Sequence, residues 1–146
     1  MMMKKRLLGL LAAGLFLLTG CGAWAADIGV ADAWIREAPP SAKVLAAYMV
    51  ITNTGKVPVQ LSGVDSRDFA SVEVHQSIMH NGKMRMMALE SLAIAPGKNV
   101  VLEPGGYHLM LIGPRKKLQV GDQVGLRLHF DKHEDVSVSA VVKKSH

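Results

Sequence analysis

Turn signals break this chain at short intervals. Glu37-Ala38-Pro39-Pro40, Asn53-Thr54-Gly55, Asn81-Gly82, Pro104-Gly105-Gly106 and Leu118-Gln119-Val120-Gly121-Asp122 each hold residues that end or reverse a strand. The runs between them are apolar or alternating, and none carries a helical period. Strands are predicted at Val30 to Arg36, Val44 to Thr52, Val57 to Val64, Ser71 to Met79 and Met84 to Leu89. Four more are predicted at Asn99 to Leu102, Tyr107 to Ile112, Gln123 to Phe130 and Val136 to Val142. Proline has no ladder donor, so Pro39-Pro40 must end the first of them. Many short strands with frequent turns imply an antiparallel sandwich or small barrel. The expected fold is all-β, a single-domain Greek-key β-sandwich, with a strand order that the pattern does not set.

The first 25 residues stand apart from that domain. Lys4, Lys5 and Arg6 precede the apolar run Leu7 to Leu18, "LLGLLAAGLFLL". That run falls short of the roughly 20 apolar residues of a membrane span. A basic start, a short apolar run and small residues after it describe an export signal. Two endings compete, and an uncleaved anchor is the third reading, which also puts the domain outside the cytoplasm. Ala23-Trp24-Ala25 is an A-x-A cleavage site, which leaves a domain of residues 26–146. Leu18-Thr19-Gly20-Cys21 resembles a lipoprotein signal, in which Cys21 is lipidated and becomes the new N-terminus. Either ending puts the domain in the periplasm, soluble or anchored by lipid.

Export changes the charge argument. Removing Lys4, Lys5 and Arg6 from 17 basic side chains leaves 14 against 12 acidic ones, so the net charge falls from +5 to +2. No Lys/Arg cluster with interleaved aromatics is present, and nucleic acid is set aside as a partner. Cys21 is the only cysteine. Cleavage after Ala25 therefore leaves a domain with no disulfide and no thiolate for zinc or an iron–sulfur cluster. Any chemistry has to use His, Met, carboxylates or hydroxyls.

Methionine is concentrated where this matters. Beyond the signal lie Met49, Met79, Met84, Met86, Met87 and Met110, four of them between residues 79 and 87. A two-residue turn at Asn81-Gly82 sets His80 against Lys83, Met79 against Met84, Ser77 against Met86 and His75 against Ala88. Opposed residues share a face, as do residues two apart on one strand. His75, Met79, Met84 and Met86 then point to one side. His108 and Met110, two apart in "GGYHLMLIG", share a face of their own strand.

If that strand lies beside the hairpin, His75, Met86, His108 and Met110 converge. Two imidazoles and two thioethers are neutral, soft-to-borderline ligands that favour Cu(I), and zinc sites seldom use thioether sulfur. Hard oxygen ligands for calcium or magnesium are missing from the set. Taken one strand at a time, alternating Met and a single His read more readily as core than as ligands. The pair of strands, in an exported chain without a competing thiol, points to the metal.

These residues resemble a known family. The spacing His75-x10-Met86-x21-His108-x-Met110 is similar to that of the periplasmic copper chaperones called PCu(A)C. Supporting stretches are "DAWIREAPP", "AAYMVITNTG", "VEVH", "MRM" and "PGGYHLML", and the resemblance spans nearly the whole domain. It implies a cupredoxin-like β-sandwich that binds one Cu(I) through His75, Met86, His108 and Met110. It also implies transfer towards the copper centre of cytochrome c oxidase, directly or through a Sco-type thiol protein, by a monomeric chaperone that is not an enzyme. Met79 and Met84 fall outside the four-ligand motif and are candidates for a supporting layer or an entry path. Some relatives carry a longer His- and Met-rich tail. Here the chain ends Lys143-Lys144-Ser145-His146, and His129, His133 and His146 are expected to be solvated.

Other classes make different demands. A blue-copper electron carrier needs a cysteine thiolate on the metal, which residues 26–146 lack. A metalloenzyme needs an open metal position and a placed acid or base. Glu73 lies on the same expected face as His75, but reads as a surface strand charge. A general copper-binding or tolerance protein would share the ligands without the delivery role. An interaction module with a Met-rich core would bind no metal.

Overall fold

The computed structural model describes residues 27–145. The segment predicted to direct export, both of its candidate endings, Cys21 and His146 lie outside the described residues. Ten strands follow in order: β1 (Ile28–Arg36), β2 (Val44–Asn53), β3 (Val59–Asp65), β4 (Phe69–His80), β5 (Lys83–Leu89), β6 (Leu92–Ile94), β7 (Asn99–Leu102), β8 (Tyr107–Pro114), β9 (Gln123–Phe130) and β10 (Val136–Lys143). No helix occurs among the described residues. Nine strands match the sequence-based expectation. The tenth, β6, is three residues long, too short to show an alternating pattern. β3 starts at Val59 rather than Val57, because Pro58 offers no donor to a ladder.

The strands pair in the order β5-β4-β8-β7-β2-β1-β10-β9-β3-β6, with β2 also pairing β8 and β3 also pairing β4. The β3–β4 contact at Val64↔Val72 closes a circuit β1-β2-β8-β4-β3-β9-β10. The result is a cupredoxin-like Greek-key sandwich whose sheet closes into a barrel. Closure removes most strand edges. β5 remains outside the circuit, and six of its seven residues are exposed.

Alternation aims one face of each strand inward. On β9, Val124, Leu126, Leu128 and Phe130 are buried while Gln123, Gly125 and Arg127 are exposed. Val74 on β4 and Leu109 and Leu111 on β8 join the same core. Each such burial contributes about 1.5–3 kcal/mol. The inward set of β4 and β8 fixes the opposite set: with Val74, Leu109 and Leu111 inside, Glu73, His75, His108 and Met110 point outward.

A bulge shapes the flank of that outward face. β1 holds one extra residue between the pairs Ala31↔Val50 and Trp34↔Tyr48, and Asp32 lies there at φ 54°. Past the bulge, the Trp34 ring meets the Tyr48 ring with centroids 4.7 Å apart, and the Arg36 guanidinium lies 5.8 Å from the Tyr48 centroid.

Candidate metal centre

The centre begins with a turn. Asn81 (φ 49°) and Gly82 (φ 72°) are both left-handed, as a type I′ hairpin requires. The β4–β5 register is the one the turn dictates: His80↔Lys83, Met79↔Met84, Ser77↔Met86 and His75↔Ala88. Met79, Met84 and Met86 thus share a face with His75.

The long-range step is the β4–β8 ladder. It runs from Phe69↔Pro114 to Gln76↔Tyr107 and sets His75 directly against His108 and Glu73 against Met110. On the far side of β8, Met110 pairs with Ala46 of β2. Across β5, β4, β8 and β2, one face carries Met86, then Ser77 and His75, then His108 and Met110, then Ala46. All four motif residues lie on this face of three neighbouring strands.

The two histidines form the buried part of the set, at 8 % exposure for His75 and 5 % for His108. Their ring centroids are 5.8 Å apart, with planes inclined at 40°. Each ring has one nitrogen occupied. His108 Nδ1–H donates to the Gly106 carbonyl at 3.2 Å, which leaves the Nε2 lone pair free. His75 Nε2–H donates to Glu73 Oε2 at 2.7 Å. His75 Nδ1 is buried and has no hydrogen-bond partner. A buried, unpartnered lone pair costs about 1–3 kcal/mol if nothing meets it. An electron-pair acceptor at this point would relieve that cost.

The thioethers form the open part. Met86 is 58 % exposed, and Met110 is half-buried. Met86, His108 and Met110, together with Arg36, Val44 and Ala46, line a cleft of about 230 Å³. His75 lies beside this cleft with its ring against His108. Arg36 and Glu37, of opposite charge, also border it. Among the described residues, no group of three or more His, Cys, Asp and Glu side chains is placed to hold a metal ion. The Met sulfurs beside the two histidines are soft donors.

Other predicted residues fall elsewhere. Met79 and Met84 lie on the same face but farther along the hairpin, at 66 % and 54 % exposure, and do not line the cleft. Glu73 is the surface strand charge that the sequence suggested, and it also has a partner. It is half-exposed but accepts the His75 hydrogen bond, so it fixes which His75 nitrogen is free. The signal for it was its place two residues before His75, on the same strand face. His129 is also more than a solvated side chain. Its two nitrogens contact Asp65 at 2.5 Å and Asp135 at 2.9 Å, and these carboxylates hold its pKa above the ordinary 6.5, Asp135 most strongly.

The sequence model of a family described as "Putative lipoprotein LpqE-like" matches residues 28–142. The chain belongs to this family, the PCu(A)C domains. A relative named "Putative lipoprotein Lxx21020", from Leifsonia xyli, is 30 % identical over 144 residues, covering 90 % of this chain and 86 % of its own length. Among solved structures, the copper-bound PCuAC domain from PmoF2 superposes with a TM-score of 0.71 at 27 % identity, covering 82 % of this chain and 95 % of that domain. The Cu(I) form of DR1885 from Deinococcus radiodurans gives a TM-score of 0.60 at 29 % identity, over 86 % of this chain and 84 % of that one. The PCu(A)C domain thus occupies almost all of the described residues.

Proposed function

We propose that this chain is a copper chaperone of the periplasm. It holds one Cu(I) between His75 Nδ1, Met86 Sδ, His108 Nε2 and Met110 Sδ. The observation that carries this reading is the His75–His108 pair. Both rings are buried side by side, each has one nitrogen tied back to the residue two positions before it, and the other is left free. Family membership and the copper-bound PmoF2 and DR1885 domains support the choice of metal.

Release follows from the burial gradient. The imidazoles are buried and Met86 is mostly exposed, so Met86 is the ligand an incoming group can displace at least cost. A thiolate or imidazole of the acceptor enters as the Met86 sulfur leaves, and the ion passes through a shared-ligand intermediate. No electron moves and no bond outside the coordination sphere changes. The acceptor is a Sco-type thiol protein or the copper-bearing subunit of cytochrome c oxidase. Neutral ligands suit the task, since a thiolate would bind more strongly and oxidise more easily outside the cytoplasm. The chain acts as a carrier, not an enzyme, and Cys21 anchors it to the membrane when the lipoprotein ending is used.

X-ray absorption on the Cu(I)-loaded protein tests the ligand set. The expected result is two nitrogen and two sulfur scatterers. An all-nitrogen or all-oxygen shell would overturn it.

A further inference from the structure

The four-ligand reading leaves Met79 and Met84 unexplained. The β4–β8 pairing ends at Gln76↔Tyr107, while β4 and β5 continue as a two-stranded ribbon to the Asn81-Gly82 turn. Met79 and Met84 stand on that ribbon and Met86 stands at its base, at 66 %, 54 % and 58 % exposure. Large apolar side chains held in water at a ribbon tip contribute nothing to the core.

Their placement is specific. The pair flanking a two-residue turn, His80↔Lys83, is hydrogen-bonded, so Met79↔Met84 is the non-hydrogen-bonded kind, whose side chains approach more closely. Their Cβ atoms are then about 4.5–5.5 Å apart, and the diagonal from Met79 to Met86 is about 7–8 Å. Three flexible thioethers reach a common point from such positions. Beside Met79 and Met84 this face of the hairpin carries only Ser77 before His75 and Ala88 at its base, while His80, Lys83, Arg85 and Met87 alternate to the other face. At the tip, beyond His75, the ligand set is therefore sulfur without carboxylate, imidazole or ammonium. That chemistry recruits a soft monovalent cation and rejects calcium, magnesium and zinc.

We infer that Met79, Met84 and Met86 form a second soft-metal site, a three-thioether landing place at the hairpin tip. Met86 belongs to both sites. A Cu(I) ion held by Met79, Met84 and Met86 reaches the buried histidines by exchanging Met79 and Met84 for His108 and His75 without leaving Met86. The shared Met86 rests on the proposed four-ligand site, whereas the three-thioether cluster stands on the hairpin geometry alone.

Ag(I) is a redox-stable probe for both. The exported protein, labelled with nitrogen-15 throughout and with carbon-13 at the methionine methyls, is titrated with Ag(I) and followed by NMR. The expected result is that Met110 and His108 signals move with the first equivalent and Met79 and Met84 methyls move with the second, the Met86 sulfur then bridging the two ions through its two lone pairs. The double variant M79L/M84L keeps the apolar surface but removes two sulfurs, and is expected to lose the second equivalent in native mass spectrometry. Static Met79 and Met84 methyls through two equivalents would overturn the inference. So would an M79L/M84L variant that still takes up two ions, which would leave the tip as an apolar docking patch. If His108 and Met110 fail to respond, the four-ligand reading falls, while movement of Met79 and Met84 still decides the hairpin site.

Discussion

His75 and His108 face each other directly across the β4–β8 ladder, and their free nitrogens, Nδ1 and Nε2, are different atoms of the ring. The difference has a cause in each strand. Gly106 lies two residues before His108 and presents a carbonyl, so the nearer Nδ1–H is used. Glu73 lies two residues before His75 and presents a long side chain, which reaches the farther Nε2–H. A slip of one residue in the ladder would move every side chain of β4 to the other face. The buried Val74, Leu109 and Leu111 forbid that slip, so the core sets the register of the site.

Glu73 should be a positioning residue for His75. Glu73→Ala is expected to lower Cu(I) affinity by about 10–100-fold, the usual effect of losing a carboxylate behind a metal-bound imidazole. Glu73→Gln, which keeps an acceptor oxygen, should lose less. Nitrogen-15 spectra of the metal-free protein report the tautomer directly. The wild type should carry its proton on His75 Nε2, and the Ala variant should show a mixture. Identical spectra in both would remove Glu73 from the account.

Asn53 should matter for stability and not for metal. It is fully buried. Its Nδ2 donates to the Val57 carbonyl at 2.7 Å and the Ile94 carbonyl at 3.0 Å, and its Oδ1 accepts from Gly55 N–H at 2.9 Å. It therefore ties the end of β2 to the β6 strand and to its own turn. Asn53→Ala orphans those groups and is expected to cost about 1–3 kcal/mol or more. Urea unfolding should show a lower midpoint with an unchanged slope.

His129 should make stability depend on pH. Asp135 and then Asp65 raise its pKa in the folded state above 6.5. The charged imidazolium ties the β9 strand to the end of β3 and to the loop before β10. A raised folded pKa means that the stabilisation is fully present below the unfolded value of about 6.5 and disappears as pH rises through the folded value. The difference in Tm between wild type and His129→Gln is thus expected to be largest in mild acid and to shrink towards alkaline pH. A difference that grew with pH would contradict the assignment.

The hairpin was fully legible in the sequence, because Asn81-Gly82 fixes a local register by turn chemistry alone. The outward face of "GGYHLMLIG" was legible too, from alternation. What the sequence withheld was non-local. Nothing in the β4 or β8 segments states that they pair, or that Gln76 meets Tyr107 and so brings His75 to His108. The β3–β4 closure rests on a single pair, Val64↔Val72, and leaves no pattern. The Glu73–His75 hydrogen bond was not legible for a related reason, since it depends on a side-chain reach that composition does not encode. The Asp32 bulge, at an Asp with positive φ, likewise carries no turn signal in its neighbours.

The most direct test is an anaerobic Cu(I) titration of residues 26–146 in competition with a chromogenic chelator, repeated with His75→Ala, His108→Ala and Met110→Ala. The account predicts tight uptake in the wild type and a loss in each variant larger than that of Glu73→Ala. Affinity unchanged in the His75 and His108 variants, or no competition by the wild type, would contradict it.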